Sequence, residues 1–169
     1  MSLMKNLILA LLLGPLAAAV SLANTNIIVN VINDTSHDLE MTNLLGEFSI
    51  PDDFSVVPAD ASMEFHFKHE RQFTYPVAGW QPTLRKIKPI ELVLTYQMTN
   101  FNFGCQLQTL FEARVIFGFL EPSYKPNWQS RTAYTGNGEY SCRSVITQRM
   151  LEPPFSYTIN LTIDDNNPT

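Results

Sequence analysis

Two of the three histidines, His66 and His69, lie three residues apart in the stretch Ala61–Glu70, "ASMEFHFKHE". Joint binding of a metal ion, or joint proton transfer, requires both imidazoles on one side of the chain. Apolar and polar residues alternate from Met63 to Phe67, and this period of two predicts a half-buried β-strand. Faces alternate along a strand, so His66 and His69 point to opposite sides. The spacing therefore argues against a metal site and predicts only a surface pair of Glu64 with His66.

Motifs of the common enzyme classes are missing from the sequence. It has no Gly-x-Ser-x-Gly elbow, no His-Glu-x-x-His motif and no glycine-rich phosphate loop. Glu112 could form a pair of catalytic carboxylates with Glu121 or Glu139, as in a glycoside hydrolase, but only the distance between the two carboxylates in the folded protein decides whether they act together. Asp52-Asp53 and Asp164–Asn167 offer oxygen ligands without the spacing of a calcium loop. The sequence favours a protein that is not an enzyme and has no metal or cofactor, with a hydrolase as the alternative.

The first 23 residues have the pattern of a secretory signal peptide. Lys5 supplies a positive charge, and the apolar run Leu7–Leu13 is shorter than the roughly 20 residues that span a bilayer. Small residues at the end of the segment suit a signal peptidase. We expect cleavage after Ala23 and a mature protein of residues 24–169 that is secreted to the extracellular space or the periplasm.

The two cysteines, Cys105 and Cys142, predict a disulfide, because an even number of cysteines in an exported chain normally pairs. Residues 24–169 have the size of one domain. The formal net charge is −5, and Arg85–Lys88 is the only local basic cluster. Binding to nucleic acid requires a basic stripe, so the charge argues against that class of partner.

Period-two alternation recurs along the chain and predicts an all-β fold. We expect strands at Ile27–Ile32, Met63–Phe67, Leu92–Met98, Ala113–Phe119, Ser144–Met150 and Ser156–Ile163. Prolines and glycines between these segments indicate turns. Only Cys105–Glu112 is compatible with a helix, and its pattern is ambiguous. Short strands separated by such turns predict a single-domain, mostly antiparallel β-sandwich with the final strand inside a sheet.

The first half of the mature chain has a characteristic order of segments: a strand, a polar turn, a strand ending at a glycine, a loop and a third strand. The residues that carry it are Asn26–Asn33, Thr35–Met41, Leu45–Phe48 and Met63–Phe67. This order resembles the opening of the aegerolysins and, more loosely, of actinoporin-like secreted proteins. The resemblance implies a small β-sandwich that binds membrane lipid, with pore-forming toxins among its members. The signal peptide and the second half of the chain depart from the aegerolysin pattern, so no lipid-binding residue is carried over.

Aromatic residues beside prolines mark two segments that we expect to be loops. Tyr75 and Trp80 lie in the first, and Tyr124 and Trp128 lie in the second. These side chains combine a flat apolar ring with a polar tip, which suits a membrane interface or stacking on a sugar. Neighbouring prolines stiffen such loops and reduce the entropy lost on binding. Alternatively, the rings fold back and close the ends of the core.

The sequence as a whole predicts a secreted, non-catalytic protein that engages membrane lipid, a glycan or a protein surface through these aromatic loops. Two other functions stay open. One is a secreted hydrolase whose site is assembled from distant residues. The other is a subunit of an envelope assembly, joined to its neighbours by strand addition at an open sheet edge.

Overall fold

The computed structural model of this chain describes residues 20–48, 56–74, 86–117, 122–136 and 139–165. These residues form strands and turns without a helix, so none of them forms a helix that could cross a membrane. The strands are β1 Val20–Asp34, β2 Leu39–Leu45, β3 Val56–Val57, β4 Ala61–Thr74, β5 Lys86–Met98, β6 Phe103–Phe117, β7 Pro122–Gly136, β8 Tyr140–Arg149 and β9 Tyr157–Asp165.

The strands form two sheets that pack against each other. Sheet A has the order β4-β1-β9-β8, and sheet B has the order β3-β2-β5-β6-β7. The β1–β9 pair is parallel, and every other pair among the described strands is antiparallel. The predicted all-β, single-domain sandwich is confirmed, and the final strand lies inside sheet A between β1 and β8.

The alternation seen in the sequence builds the core. In β4, Phe65 and Phe67 are buried whereas Glu64, His66 and Lys68 are exposed, as the period of two predicts. The same rule places alternate residues of the central strands between the sheets: Ile27, Val29, Val31, Leu92, Leu94, Tyr96, Leu107, Phe111, Ile159, Leu161 and Ile163. Their burial is the main favourable contribution to folding.

The structure resolves one ambiguous segment and corrects one expectation. Cys105–Glu112 lies in β6 and not in a helix, because Leu107, Thr109 and Phe111 are buried in strict alternation. The proline-containing segment of Tyr124 and Trp128 is not a loop but the first half of β7. Prolines are tolerated there because β7 is the edge strand of sheet B and has a free side that needs no N–H donors.

The two cysteines form a disulfide that joins the sheets. Cys105 lies in β6 of sheet B and Cys142 in β8 of sheet A, with their Cα atoms 5.9 Å apart. This bond is compatible with an oxidising compartment. The segment 1–19, which holds most of the predicted signal peptide, lies outside the described residues, and β1 begins at Val20, ahead of the expected cleavage point.

The strand register defines two ends of the sandwich. At the "Asp34 end", β1, β5 and β7 finish and β6 and β8 begin. At the "Thr74 end", β4 and β6 finish and β5 and β7 begin. The turns that connect the strands at the Asp34 end are mostly described, and they carry the candidate site.

Candidate functional site

The site residues predicted from sequence fall in two groups. Tyr75 and Trp80 lie outside the described residues. Tyr124 and Trp128 lie in β7 and are half-buried. The Trp128 ring contacts Phe111 with centroids 5.6 Å apart, and the Tyr124 ring packs edge-on against Phe155 at 5.4 Å. These two rings therefore help to close the core near the Thr74 end, and most of their surface is occupied by the protein itself.

A different set of aromatic residues reaches solvent at the Asp34 end. Phe101 is 42% exposed and Tyr134 is 58% exposed. A continuous chain of ring contacts joins them: Phe101–Tyr140 at 6.0 Å, Tyr140–Phe103 at 5.3 Å and Phe103–Tyr134 at 6.3 Å. The imidazole of His37 lies 4.2 Å from the Phe101 ring. We call these five residues the aromatic patch.

The buried members of the patch are held by the disulfide. Phe103 lies two residues before Cys105 in β6, and Tyr140 lies two residues before Cys142 in β8. Residues two apart in a strand share a face, so the disulfide links the same two strand starts that bring the Phe103 and Tyr140 rings together. The exposed rings thus rest on a covalently fixed base.

Hydrogen bonds between turns fix the rest of the Asp34 end. The Asp60 N–H donates to the Thr35 carbonyl at 3.1 Å, and the Thr99 N–H donates to the Asp38 carbonyl at 3.0 Å. The Asp38 carboxylate also accepts a hydrogen bond from the Ala59 N–H at 2.9 Å. The turn that carries Phe101 is therefore tied to the turn that carries His37.

Glycine is required where the β7–β8 connection begins. Gly136 has a φ of +103°, and a Cβ placed there would lie 1.7 Å from the Asn102 carbonyl oxygen. Only glycine combines this conformation with such a close approach. The contact holds the end of β7 against the turn that follows Phe101.

Acidic side chains surround the aromatic patch. They are Asp34, Asp38, Asp60, Glu139, Asp164 and Asp165, and all but the half-buried Asp164 are exposed. Burial raises the pKa of the Tyr140 hydroxyl, and the nearby negative charges of Asp165 and Glu139 raise it further. Among the described residues at this end, the one ion pair joins Asp164 to Arg143. The patch therefore lies in a region of negative potential.

A polar cleft near the Thr74 end is the second candidate. It has a volume of about 320 Å³ beside a second hollow of about 210 Å³, and Glu47 and His69 line both. The Nδ1 of His69 lies 2.8 Å from the Glu47 carbonyl oxygen. A carbonyl only accepts, so Nδ1 carries the proton and Nε2 is left as an acceptor in the neutral ring. Lys88 pairs with the Glu47 carboxylate at 2.9 Å and lowers its pKa.

The groups in this cleft that could transfer a proton are the His69 imidazole, three carboxylates and two lysines. Its described lining residues are Asn24, Gly46, Glu47, Lys68, His69, Glu70, Lys88, Pro89, Ile90 and Glu91. This lining holds no serine, threonine or cysteine to act as a nucleophile. The described residues also contain no group of three His, Cys, Asp or Glu side chains that could hold a metal ion. The expected pair of Glu64 with His66 is present at 2.6 Å, on the exposed face of β4.

The geometry removes one of the carboxylate pairs considered from the sequence. Glu139 precedes Tyr140, whose ring contacts that of Phe103 at the start of β6. Glu112 lies nine positions farther along β6 than Phe103. At about 3.3 Å per residue, this places the two glutamates on the order of 30 Å apart. Glycoside hydrolase pairs require roughly 5 to 10 Å. Glu121 lies outside the described residues.

No protein-family model matches this chain, and a search of curated proteins finds no match either. The function is therefore inferred from the residues and their geometry.

Sequence reasoning did not identify the aromatic patch as a site. The signal for Phe101 was present, since it is a large apolar residue between Asn100 and Asn102, and Asn100 adopts a positive φ of 64°. Asparagine favours such turn conformations, and an aromatic residue at the tip of a turn has little chance of burial.

Proposed function

We propose that this protein is an exported, non-catalytic binding module that engages its partner through the aromatic patch at the Asp34 end. The observation that carries the proposal is the exposure of Phe101 and Tyr134 within one connected group of rings. Exposed aromatic rings grouped at one end of a molecule are characteristic of binding sites. The disulfide and the turn–turn hydrogen bonds supply a rigid support, which reduces the entropy lost on binding.

Export is supported by the signal-peptide pattern and by a disulfide that suits an oxidising compartment. The test is to express the full chain with its native leader and to sequence the N-terminus of the disulfide-bonded product. We expect the mature protein to begin at Asn24. A product that keeps Met1 and stays in the cytoplasm would contradict export.

The binding proposal is tested by comparing wild type with the double variant Phe101→Ala/Tyr134→Ala. Both proteins are applied to lipid vesicles, a glycan array and a set of extracellular protein domains and peptides. The matched control is Val145→Ala/Leu151→Ala, because these apolar side chains are 61% and 69% exposed on and after β8, away from the patch. Circular dichroism and thermal unfolding check that all variants fold.

The proposal expects at least one ligand class that wild type and control bind and that the patch variant binds at least about tenfold more weakly, the loss typical of a removed aromatic anchor. Absence of any ligand, or equal binding by all three proteins, would refute it. A parallel Trp80→Ala variant examines the other aromatic segment that the sequence predicted as a binding loop. Loss of binding in that variant alone would move the site to that segment.

A hydrolase is the second candidate, and the acceptor Nε2 of His69 in the polar cleft favours it. The substitution His69→Gln removes the base, whereas Glu91→Gln changes the same lining without affecting it. A hydrolytic activity of the processed protein that is lost only in the His69 variant would support this function. Absence of activity against ester, peptide and glycoside panels would remove it.

A further inference from the structure

We propose that the aromatic patch binds a protein segment that presents arginine or lysine side chains. This inference rests on the proposed function, and it names the chemical class of partner for the same surface. It combines the exposed rings of Phe101 and Tyr134 with the carboxylates around them.

The rings supply the first half of the recognition. A guanidinium or ammonium group is attracted to the face of an aromatic ring within about 6 Å of its centroid. Phe101 and Tyr134 expose their rings on either side of a base formed by Phe103 and Tyr140. Two such faces at one end of the molecule allow contact with two cationic side chains of an extended segment.

The carboxylates supply the second half. Glu139 and Asp165 flank Tyr140, since Glu139 precedes it in the chain and Asp165 lies opposite it in the β8–β9 register. Asp38 follows His37, and its backbone is bonded to the turn of Phe101. These groups form charge-assisted hydrogen bonds to arginine in particular, because its planar fork matches a carboxylate.

Carboxylates outnumber positive charges at this end. Arg143, three positions after Tyr140 in β8, pairs with Asp164, and Arg131 lies three positions before Tyr134 in β7. Lys88, Arg114, Lys125 and Arg149 lie toward the Thr74 end. An incoming cation at the patch therefore meets a net negative charge.

The same charges disfavour the other partner classes. An anionic bilayer carries a negative surface potential that opposes the carboxylates around the patch, and in a zwitterionic headgroup the phosphate offsets the attraction of the choline to the rings. A neutral sugar gains stacking from the rings but nothing from the surrounding negative charge. A basic protein segment is the partner that uses both features.

The test uses the processed, disulfide-bonded protein and a fluorescein-labelled peptide in which arginines alternate with glycine and serine. The control peptide carries citrulline in place of every arginine, so shape is retained and charge is removed. Binding is measured by fluorescence anisotropy at 150 mM salt. Wild type is expected to bind the arginine peptide at least about tenfold more tightly than the citrulline peptide.

Variants measure the contributions of the rings and of the carboxylates separately. Phe101→Ala/Tyr134→Ala is expected to weaken arginine-peptide binding about tenfold, and Glu139→Gln/Asp165→Asn about threefold to tenfold with a weaker salt dependence. Val145→Ala/Leu151→Ala and Glu152→Gln, both remote from the patch, are the matched controls and are expected to bind as wild type does.

The outcomes separate this inference from the proposed function. Patch-dependent binding to vesicles or glycans, without preference for the arginine peptide, would overturn the cationic partner and leave the binding function standing. Concentration-dependent self-association that Phe101→Ala/Tyr134→Ala abolishes would identify a second copy as the occupant and overturn the inference. Absence of any patch-dependent binding would overturn both.

Discussion

At the scale of single residues, Asn33 shows how a buried polar side chain organises the Asp34 end. Its Nδ2 donates to the carbonyls of His37 and Pro58, both at 2.8 Å, and lies 3.2 Å from that of Val57. Its Oδ1 accepts a hydrogen bond from the Thr35 hydroxyl at 2.8 Å. Asn33 also begins an Asn-x-Thr sequon, but its fully occupied, buried amide is incompatible with an attached glycan in this fold.

Asn33→Asp is predicted to destabilise the protein by about 2 to 4 kcal/mol. The shape is retained, but the donor is replaced by a buried carboxylate that faces carbonyl oxygens. Urea unfolding of the processed protein measures the change. Asn43→Asp, at an exposed position of β2, is the control and is expected to change stability by less than about 0.5 kcal/mol. Equal effects of the two substitutions would contradict the role of Asn33.

Two buried tyrosines are predicted to respond oppositely to removal of the hydroxyl. The buried Tyr96 hydroxyl has no hydrogen-bond partner among the described residues, whereas that of Tyr157 lies 3.1 Å from the Thr109 hydroxyl. Tyr96→Phe is expected to be neutral or to stabilise by about 1 kcal/mol, and Tyr157→Phe to cost about 1 kcal/mol. Thermal and urea unfolding measure both. A destabilised Tyr96→Phe variant would mean that this hydroxyl has a partner.

The same tyrosines predict a loss of stability at alkaline pH. Burial raises the pKa of Tyr157 to about 12 and raises that of Tyr96 as well, whereas an unfolded tyrosine titrates near 10. The stabilisation is therefore complete below about pH 10 and is lost as pH rises through about 12, on the order of 2 to 3 kcal/mol for Tyr157. Urea midpoints at pH 8 to 12 measure it. The Tyr96→Phe/Tyr157→Phe variant is expected to lose less stability than wild type over this pH range. An equal loss in the two proteins would refute the assignment of the effect to these tyrosines.

The sequence predicted which residues are exposed wherever a regular period-two alternation decides the face of a strand on which they lie. Glu64, His66 and Lys68 followed from the alternation in β4. Phe101 was missed because nothing periodic marks a turn tip. Trp128 was misplaced because Pro122 and Pro126 indicated a loop, and a strand at the edge of a sheet tolerates them for a reason that only the strand order reveals.

At the scale of elements, the disulfide joins β6 and β8 across the two sheets. Its cysteines are separated by 37 residues in sequence, which corresponds to about 4 kcal/mol of stabilisation in the chain-entropy model. The bond also positions the strand starts that carry Phe103 and Tyr140. Stability and patch geometry therefore depend on the same covalent link.

Cys105→Ala/Cys142→Ala is predicted to lower the free energy of unfolding by up to about 4 kcal/mol and to weaken ligand binding at the patch. Urea unfolding and anisotropy measure the two effects, with reduced wild type as the parallel sample. Retained stability together with unchanged binding would show that the sheets and the patch do not depend on the disulfide.

The strands themselves were largely predictable, because period-two patterning and turn-forming residues mark them directly. The order of strands in the sheets was not, since the parallel pairing of β1 with β9 joins segments about 130 residues apart. The aegerolysin resemblance concerned only the succession of the first strands and stays a prediction.

At the scale of the whole molecule, charge is divided between the two ends. Carboxylates gather around the aromatic patch at the Asp34 end, and lysines and arginines lie mostly toward the Thr74 end. The net charge of −5 conceals this division, because it appears only when the register brings distant segments together. The candidate site could therefore not be predicted from the sequence, although the sequence contains the aromatic and acidic residues that form it.

The most direct measurement is a ¹⁵N NMR titration of the processed, disulfide-bonded protein with the arginine-bearing peptide. Binding at the aromatic patch predicts that the largest amide shift changes fall in residues 34–38, 99–103 and 134–140, with little change around His69 in the cleft near the Thr74 end. Changes confined to the Thr74 end, or no changes at peptide concentrations up to about 1 mM, where an interaction of about 4 kcal/mol is half-saturated, would contradict the account.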